Sequence, residues 1–121
     1  MVVTSEENLF AERYDAQVVI TLPEEIDLTN SAGLREMLLA VIRRHPAIVV
    51  ADMSATIFCD SSGMAAIATA YRQAVAAGAD MRLVIEHPAP RRVFEINGFD
   101  TLISIYPDLP TALSGRQWPT S

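Results

Sequence analysis

Two adjacent hydroxyls and a carboxylate occupy consecutive positions in Phe58-Cys59-Asp60-Ser61-Ser62-Gly63-Met64. A short apolar run, Ala47-Ile48-Val49-Val50-Ala51, precedes them, followed by Asp52-Met53-Ser54. After them, Met64, Ile67, Tyr71 and Val75 recur at helical spacing, with Thr69, Arg72, Gln73 and Ala76 opposite. The hydroxyls therefore sit where a buried strand feeds a helix. Asp60 or Ser61 can cap that helix by accepting from its unpaired first-turn amides. The same amides form an anion site for a carboxylate or a phosphate. A third chemistry is nucleophilic. The Gly-x-Ser-x-Gly elbow is absent because position 59 is Cys. A Ser61–His87 pair is conceivable, but a histidine before a proline at a strand end reads as solvated loop, and His45, beside Pro46, as an exposed helix end.

The chain has no lysine, and all 9 basic residues are arginines. That excludes a Gly-Lys-Ser/Thr phosphate loop, a Schiff base and the late-strand lysine of a receiver domain. One cysteine and two distant histidines show no ligand spacing for a metal. Cys59, between Phe58 and Asp60, reads as a core residue at a strand end. Arg91-Arg92 is too small a patch for nucleic acid.

The elements that must position these residues follow from periodicity. Leu9–Tyr14 alternates weakly, Asp15-Ala16 can turn, and Gln17–Leu22 is a β-branched strand, so a hairpin is expected. Glu24–Ser31 reads as a polar loop with one buried position, Ile26. Thr29 or Asn30 then caps a helix whose apolar face is Leu34, Leu38, Val41 and Ile42, with Arg43 and Arg44 in its last turn and Pro46 as its stop. A strand over 48–53, a helix over 62–77 ended by Gly78, and a strand over 81–86 come next. Pro88 and Pro90 open a short helix closed by Asn97-Gly98, with Phe99 folding back on it. A last strand over 101–106 and a turn of helix capped by Asp108 finish the domain; 114–121 reads as a tail. This alternation predicts an α/β domain with a largely parallel sheet joined by helical crossovers.

With 121 residues, 50% of them apolar and 20% charged, the chain is long enough for one core. A net charge of −6 makes nucleic acid and anionic membranes poor partners. Neither a signal peptide nor a membrane-length apolar run is apparent, and a single cysteine suits a reducing cytoplasm.

Three stretches in combination carry a resemblance. Glu25-Ile26-Asp27-Leu28-Thr29 lies between a strand and a helix; Asp52-Met53-Ser54 is followed by Phe58–Met64; and Pro88–Phe99 precedes the last strand. Together they resemble the bacterial anti-sigma factor antagonists, free-standing members of the STAS domain family, over roughly 18–113. The resemblance implies a single STAS domain over 1–113 with a mixed sheet of four or five strands and packed helices. It implies no enzymatic activity and no cofactor. The unmodified form would bind an anti-sigma factor that is also a serine kinase, and so free a sigma factor. That kinase, which brings its own ATP and Mg, would phosphorylate Ser61, and a metal-dependent serine phosphatase would reset it. Glu25, Asp27, Thr29, Asp60, Ser62, Gly63 and Met64 would form the partner surface, and the free protein would be a cytoplasmic monomer. The chain departs from the family pattern at Glu24, which replaces the usual glycine before the glutamate, with Pro23 ahead of it, and adds bulk and charge there. The competing reading is a STAS scaffold or ligand-sensing module that is never phosphorylated.

Overall fold

The computed structural model describes residues 2–4, 10–14 and 16–114. Its strands are β1 (Val2–Thr4), β2 (Phe10–Tyr14), β3 (Gln17–Thr21), β4 (Glu25–Ile26), β5 (Ile48–Met53), β6 (Phe58–Cys59), β7 (Asp80–Ile85) and β8 (Ser104–Tyr106). The α-helices are α1 (Ser31–Ile42), α2 (Ser61–Ala76), α3 (Pro88–Ile96) and α4 (Leu109–Leu113), with a 3-10 turn at Phe99–Thr101.

Six strands form one sheet in the order β1-β2-β3-β5-β7-β8, and β4-β6 form a separate ribbon. β1, β2 and β3 pair antiparallel; β3, β5, β7 and β8 pair parallel. The α/β class and the mixed sheet agree with the sequence reading, but the sheet has more strands than the four or five expected. The three-residue β1 was missed because it is too short for alternation to register. The hairpin is present as β2–β3, with Leu9 and Asp15 outside the described residues.

Alternation along the central strands divides the core between two faces. Val18, Ile20, Val49, Ala51, Met81, Leu83 and Ile85 pack against α1, α2 and α3, whose contributions include Leu34, Leu38, Ile67, Ala70 and Phe94. Val19, Val50, Val84 and Tyr106 form a smaller cluster with Ala112 of α4. Burial on both faces explains why β5 and β7 read as near-continuous apolar runs. Each large side chain so buried stabilises the fold by roughly 1.5–3 kcal/mol.

Some boundaries differ from the reading. α1 ends at Ile42, so Arg43 is its C-cap and not part of its last turn; His45 takes a left-handed φ of 57° before Pro46. α2 is rotated from the expected face: Gly63, Ala66, Ile67, Ala70 and Ala74 are buried, and Val75 is exposed. Alanines carry little hydrophobic signal, yet their small size lets α2 lie close to its neighbours. The strand expected over 101–106 is shorter, because 99–101 winds into the 3-10 turn. Phe99 there packs edge-on to Phe94 and Tyr71, and Tyr71 Oη donates to the Leu102 carbonyl at 2.8 Å.

A buried arginine joins α4 to the sheet. Arg82 donates to Asp80 Oδ2 at 2.8 and 3.1 Å and to the Ala112 carbonyl at 2.6 Å, and its guanidinium lies 5.9 Å from the Tyr106 ring centre. Asp108 caps α4 by accepting from the Thr111 amide at 2.8 Å.

Candidate functional site

β3 and β5 are parallel neighbours, so the loops that follow them leave the same edge of the sheet. Ligands bind at that carboxyl edge in open α/β sheets. Here each loop contributes one strand of the β4–β6 ribbon, with Glu25 opposite Phe58 and Ile26 opposite Cys59. Hydrogen bonds lock the two loops together. Ile57 and Phe58 amides donate to the Glu24 carbonyl at 2.8 and 3.3 Å, and the Asp60 amide donates to the Ile26 carbonyl at 3.1 Å. Thr56, fully buried, donates its hydroxyl to the Pro23 carbonyl at 2.8 Å. The Glu25–Thr29 loop is thereby held beside the start of α2.

Asp60 is the N-cap of α2. Its Oδ1 accepts from the Ser62 amide at 2.9 Å, the Gly63 amide at 3.1 Å and the Ser62 hydroxyl at 2.6 Å. These bonds, the Ser62 hydroxyl foremost, hold its carboxyl below the usual range. The sequence left Asp60 and Ser61 as alternative caps; the geometry selects Asp60. It also fills the expected anion site, because the protein's own carboxylate takes the Ser62 and Gly63 amides.

The two serines thus differ. The Ser62 hydroxyl is half-buried and committed to Asp60. Ser61, the first residue of α2, is exposed, and among the described residues no hydrogen bond engages its hydroxyl. No hydrogen bond joins it to His87, which is the N-cap of α3. Beyond the cap, Ser62 lines one side of a groove of about 240 Å³ between α1 and α2, together with Ser31, Arg35 and Thr69.

Gly63 is buried and makes room for the ribbon. A β-carbon there would stand 2.5 Å from Ile26 Cγ2 and 2.7 Å from Cys59 Sγ. Cys59 lies in the core, as its strand-end position suggested. Burial, reinforced by the neighbouring Asp60 charge, pushes its thiol up to about 12. Met64 is half-buried and packs against the main core.

In the acidic loop, Asp27 Oδ1 accepts from the Thr29 amide at 2.9 Å and from the Thr29 hydroxyl. Asn30 occupies the N-cap position of α1, but its side chain points back: Oδ1 accepts from the Asp27 amide at 3.0 Å and Nδ2 donates to the Glu25 carbonyl at 2.8 Å. Neither Thr29 nor Asn30 therefore caps α1 through its side chain. Glu25 and Thr29 are exposed and Asp27 is half-buried. The site that motif reading singled out is brought together by contacts that motif reading did not include: Thr56, and the fit of Ile26 against Gly63. Ile26 is buried, as the sequence pattern expects, yet nothing in sequence spacing says what it meets.

Among the described residues, no group of three or more histidine, cysteine or acidic side chains is placed to hold a metal, and no helix is long and apolar enough to cross a membrane.

The STAS domain model matches residues 8–112, and the chain belongs to the STAS domain family. It is 28% identical over 102 residues to the anti-sigma-F factor antagonist RsfB of Mycobacterium tuberculosis, covering 84% of this chain and 83% of the relative. An anti-sigma factor antagonist from Mycobacterium paratuberculosis superposes with a TM-score of 0.82 at 27% identity, over 93% of this chain and 97% of that one. The Bacillus protein SpoIIAA shares the fold in its unphosphorylated form, with a TM-score of 0.74 at 21% identity over 88% of this chain and 93% of that one. Its phosphorylated form gives 0.69 over 88% and 96%.

Proposed function

We propose that this chain is an anti-sigma factor antagonist whose hold on its partner is switched at Ser61. The carrying observation is the contrast between an exposed, unengaged Ser61 hydroxyl and a neighbouring Ser62 hydroxyl locked 2.6 Å from the capping carboxylate. Relatives named as anti-sigma factor antagonists support the same reading. So does a protein of this fold known in unphosphorylated and phosphorylated forms.

In this reading the unmodified protein binds an anti-sigma factor that is also a serine kinase, and the sigma factor is released. The partner's active site supplies ATP, Mg and the base. The Ser61 hydroxyl takes the terminal phosphoryl group, ADP leaves and the hydroxyl proton is lost. A metal-dependent phosphatase returns the serine, with water taking the group away as inorganic phosphate. The chain itself supplies no catalysis and needs no cofactor, binds no nucleic acid or membrane, and works in the cytoplasm as a monomer when free. Glu25, Asp27, Thr29, Asp60, Ser62, Gly63 and Met64 form or support the partner face around Ser61.

A phosphoserine adds a charge of about −1.5 to −2. With the first-turn amides already taken by Asp60, that charge stays in solvent and leaves the fold intact. Docking would have to bury it beside Asp60 and Asp27, so desolvation and bulk oppose binding.

The test is intact mass after incubation with ATP and each anti-sigma kinase of the source organism, followed by titration calorimetry. Ser61→Ala should escape modification and bind constitutively. Ser61→Asp should bind more weakly, and the phosphorylated protein weakest. Indistinguishable affinities for the three would make Ser61 a helix-start residue only, and no modification by any such kinase would leave a scaffold or sensing module.

A further inference from the structure

The ribbon beside Ser61 also holds large apolar side chains in water. Ile26 and Cys59 face inward against Gly63. Their neighbours Glu25 and Phe58, opposite each other in register, therefore share the outer face. Phe58 is 49% exposed, Ile57 47% and Leu28 77%. None of the three belongs to either core cluster. Their backbone is held: the Ile57 amide bonds the Glu24 carbonyl at 2.8 Å, and the turn carrying Leu28 is closed by Ser31 N–H donating to the Asp27 carbonyl at 2.9 Å. An apolar group presented on fixed backbone loses little freedom when it docks.

The surroundings specify the opposite surface. Asp27 adjoins Leu28, Glu25 pairs with Phe58, the Glu24 carbonyl accepts from the Ile57 and Phe58 amides, and Asp60 lies two positions after Phe58, whereas Arg35 stands on α1 beside Ser62 in the groove and Arg91 and Arg92 stand on α3, which packs against β6. An apolar centre with an acidic rim complements an apolar pocket with a basic rim.

We propose that Leu28, Ile57 and Phe58 are the apolar centre of the surface that Ser61 controls. The occupant is an anti-sigma partner whose apolar pocket, rimmed by arginine or lysine, receives Phe58. The proposal rests on the functional reading above and adds how the switch acts. A basic rim attracts a phosphoryl group at long range, so phosphorylation must block by bulk and desolvation three positions from Phe58. Raising salt should then weaken the unmodified complex and should not rescue the phosphorylated one.

The experiment titrates the full-length wild type, Phe58→Ser, Leu28→Ser and Glu25→Gln against each purified anti-sigma factor of the source organism, at low and high salt, with melting curves for every variant. Phe58→Ser should lose at least about 30-fold in affinity and Leu28→Ser about 5-fold, both with unchanged melting. Glu25→Gln should slow association and flatten the salt dependence. If wild type binds one of these factors while Phe58→Ser and Leu28→Ser bind within about twofold of it, the docking surface is wrong and the antagonist reading stands. Weakening in Phe58→Ser with lowered melting, and none in Leu28→Ser, would give Phe58 a structural role and also overturn the proposal. Binding that is unaffected or strengthened by salt overturns the basic rim. Failure of wild type to bind any of them removes the antagonist reading, and this proposal with it.

Discussion

Replacing Gly63 by alanine sets helix propensity against packing, and the structure decides between them. Alanine gains about 1 kcal/mol over glycine inside a helix. Its methyl group, however, would lie 2.5 Å from Ile26 Cγ2 and 2.7 Å from Cys59 Sγ. Ordinary carbon contacts are about 3.5–4.0 Å, so the ribbon must retreat by about 1 Å or more. Neither neighbour can swing aside: Ile26 is β-branched and fully buried, and Cys59 is in the core. Overpacking costs typically 1–3 kcal/mol, and two simultaneous clashes belong at the upper end. The net loss should be about 1–2 kcal/mol, a fall of roughly 3–10 °C in melting temperature for a domain of this size.

The origin of the loss is separable. Ile26→Ala alone should cost about 2–5 kcal/mol by leaving a cavity. In the double variant the new methyl enters that cavity, so the two costs should fall short of their sum by about 1 kcal/mol or more. Chemical denaturation of the four proteins measures this. Amide exchange supplies a local readout: the Ile57 and Asp60 amides, bonded to Glu24 and Ile26 carbonyls, should exchange faster in Gly63→Ala than amides of β5. A neutral or stabilising Gly63→Ala, or strictly additive costs, would refute the argument that this glycine exists to admit Ile26.

Other consequences can be measured on the protein alone. Asp60 and Asp108 have carboxyl groups lowered by hydrogen bonds in the folded state. Their contribution is complete above the unfolded carboxylate value of about 4 and is lost as pH falls through the lowered folded values. Melting temperature should therefore fall less steeply on acidification in Asp60→Asn/Asp108→Asn than in wild type; equal slopes would contradict those bonds. Cys59, with its thiol pushed up to about 12 and buried, should resist a thiol reagent at neutral pH until the protein unfolds; rapid labelling of native protein would show the ribbon to be open. Arg82→Met leaves the Ala112 carbonyl without its 2.6 Å donor and should cost roughly 1–3 kcal/mol, with exchange rising first in α4. Unchanged exchange there would mean that apolar contacts alone hold α4.

The legible parts of this chain were those whose signal is local. Val18–Ile20, Val49–Ala51 and Leu83–Ile85 read as strands because both faces of a central parallel strand are buried. Gly98, with φ 72°, and Asp108 lie where turn and cap chemistry put them. What stayed hidden depends on tertiary contact. The β4–β6 ribbon consists of two residues per strand, too few for a period, and only the neighbouring sheet strands bring them together. The buried face of α2 departs from the periodic one because Ala66, Ala70 and Ala74 give weak hydrophobic signal, whereas Val75 gives a strong one and is nonetheless outside. Phe58 faces water because its neighbour Cys59 faces Gly63, a contact that no local pattern carries.

Seen from the contacts, the motif divides its labour by position. Cys59 belongs to the core, Asp60 satisfies the first-turn amides, Ser62 gives its hydroxyl to Asp60, and Gly63 admits Ile26. A covalent change at any of these would act on the fold: a phosphoryl group on Ser62 would break a 2.6 Å bond and set a second anion against the cap. Of the residues from Cys59 to Gly63, Ser61 combines an exposed position with a hydroxyl that makes no hydrogen bond among the described residues. Under the switch proposed above, a group added at that position would alter the surface and leave the domain that presents it unchanged. Because the capping task falls on Asp60, a group added at Ser61 leaves the Ser62 and Gly63 amides with the acceptor they already have.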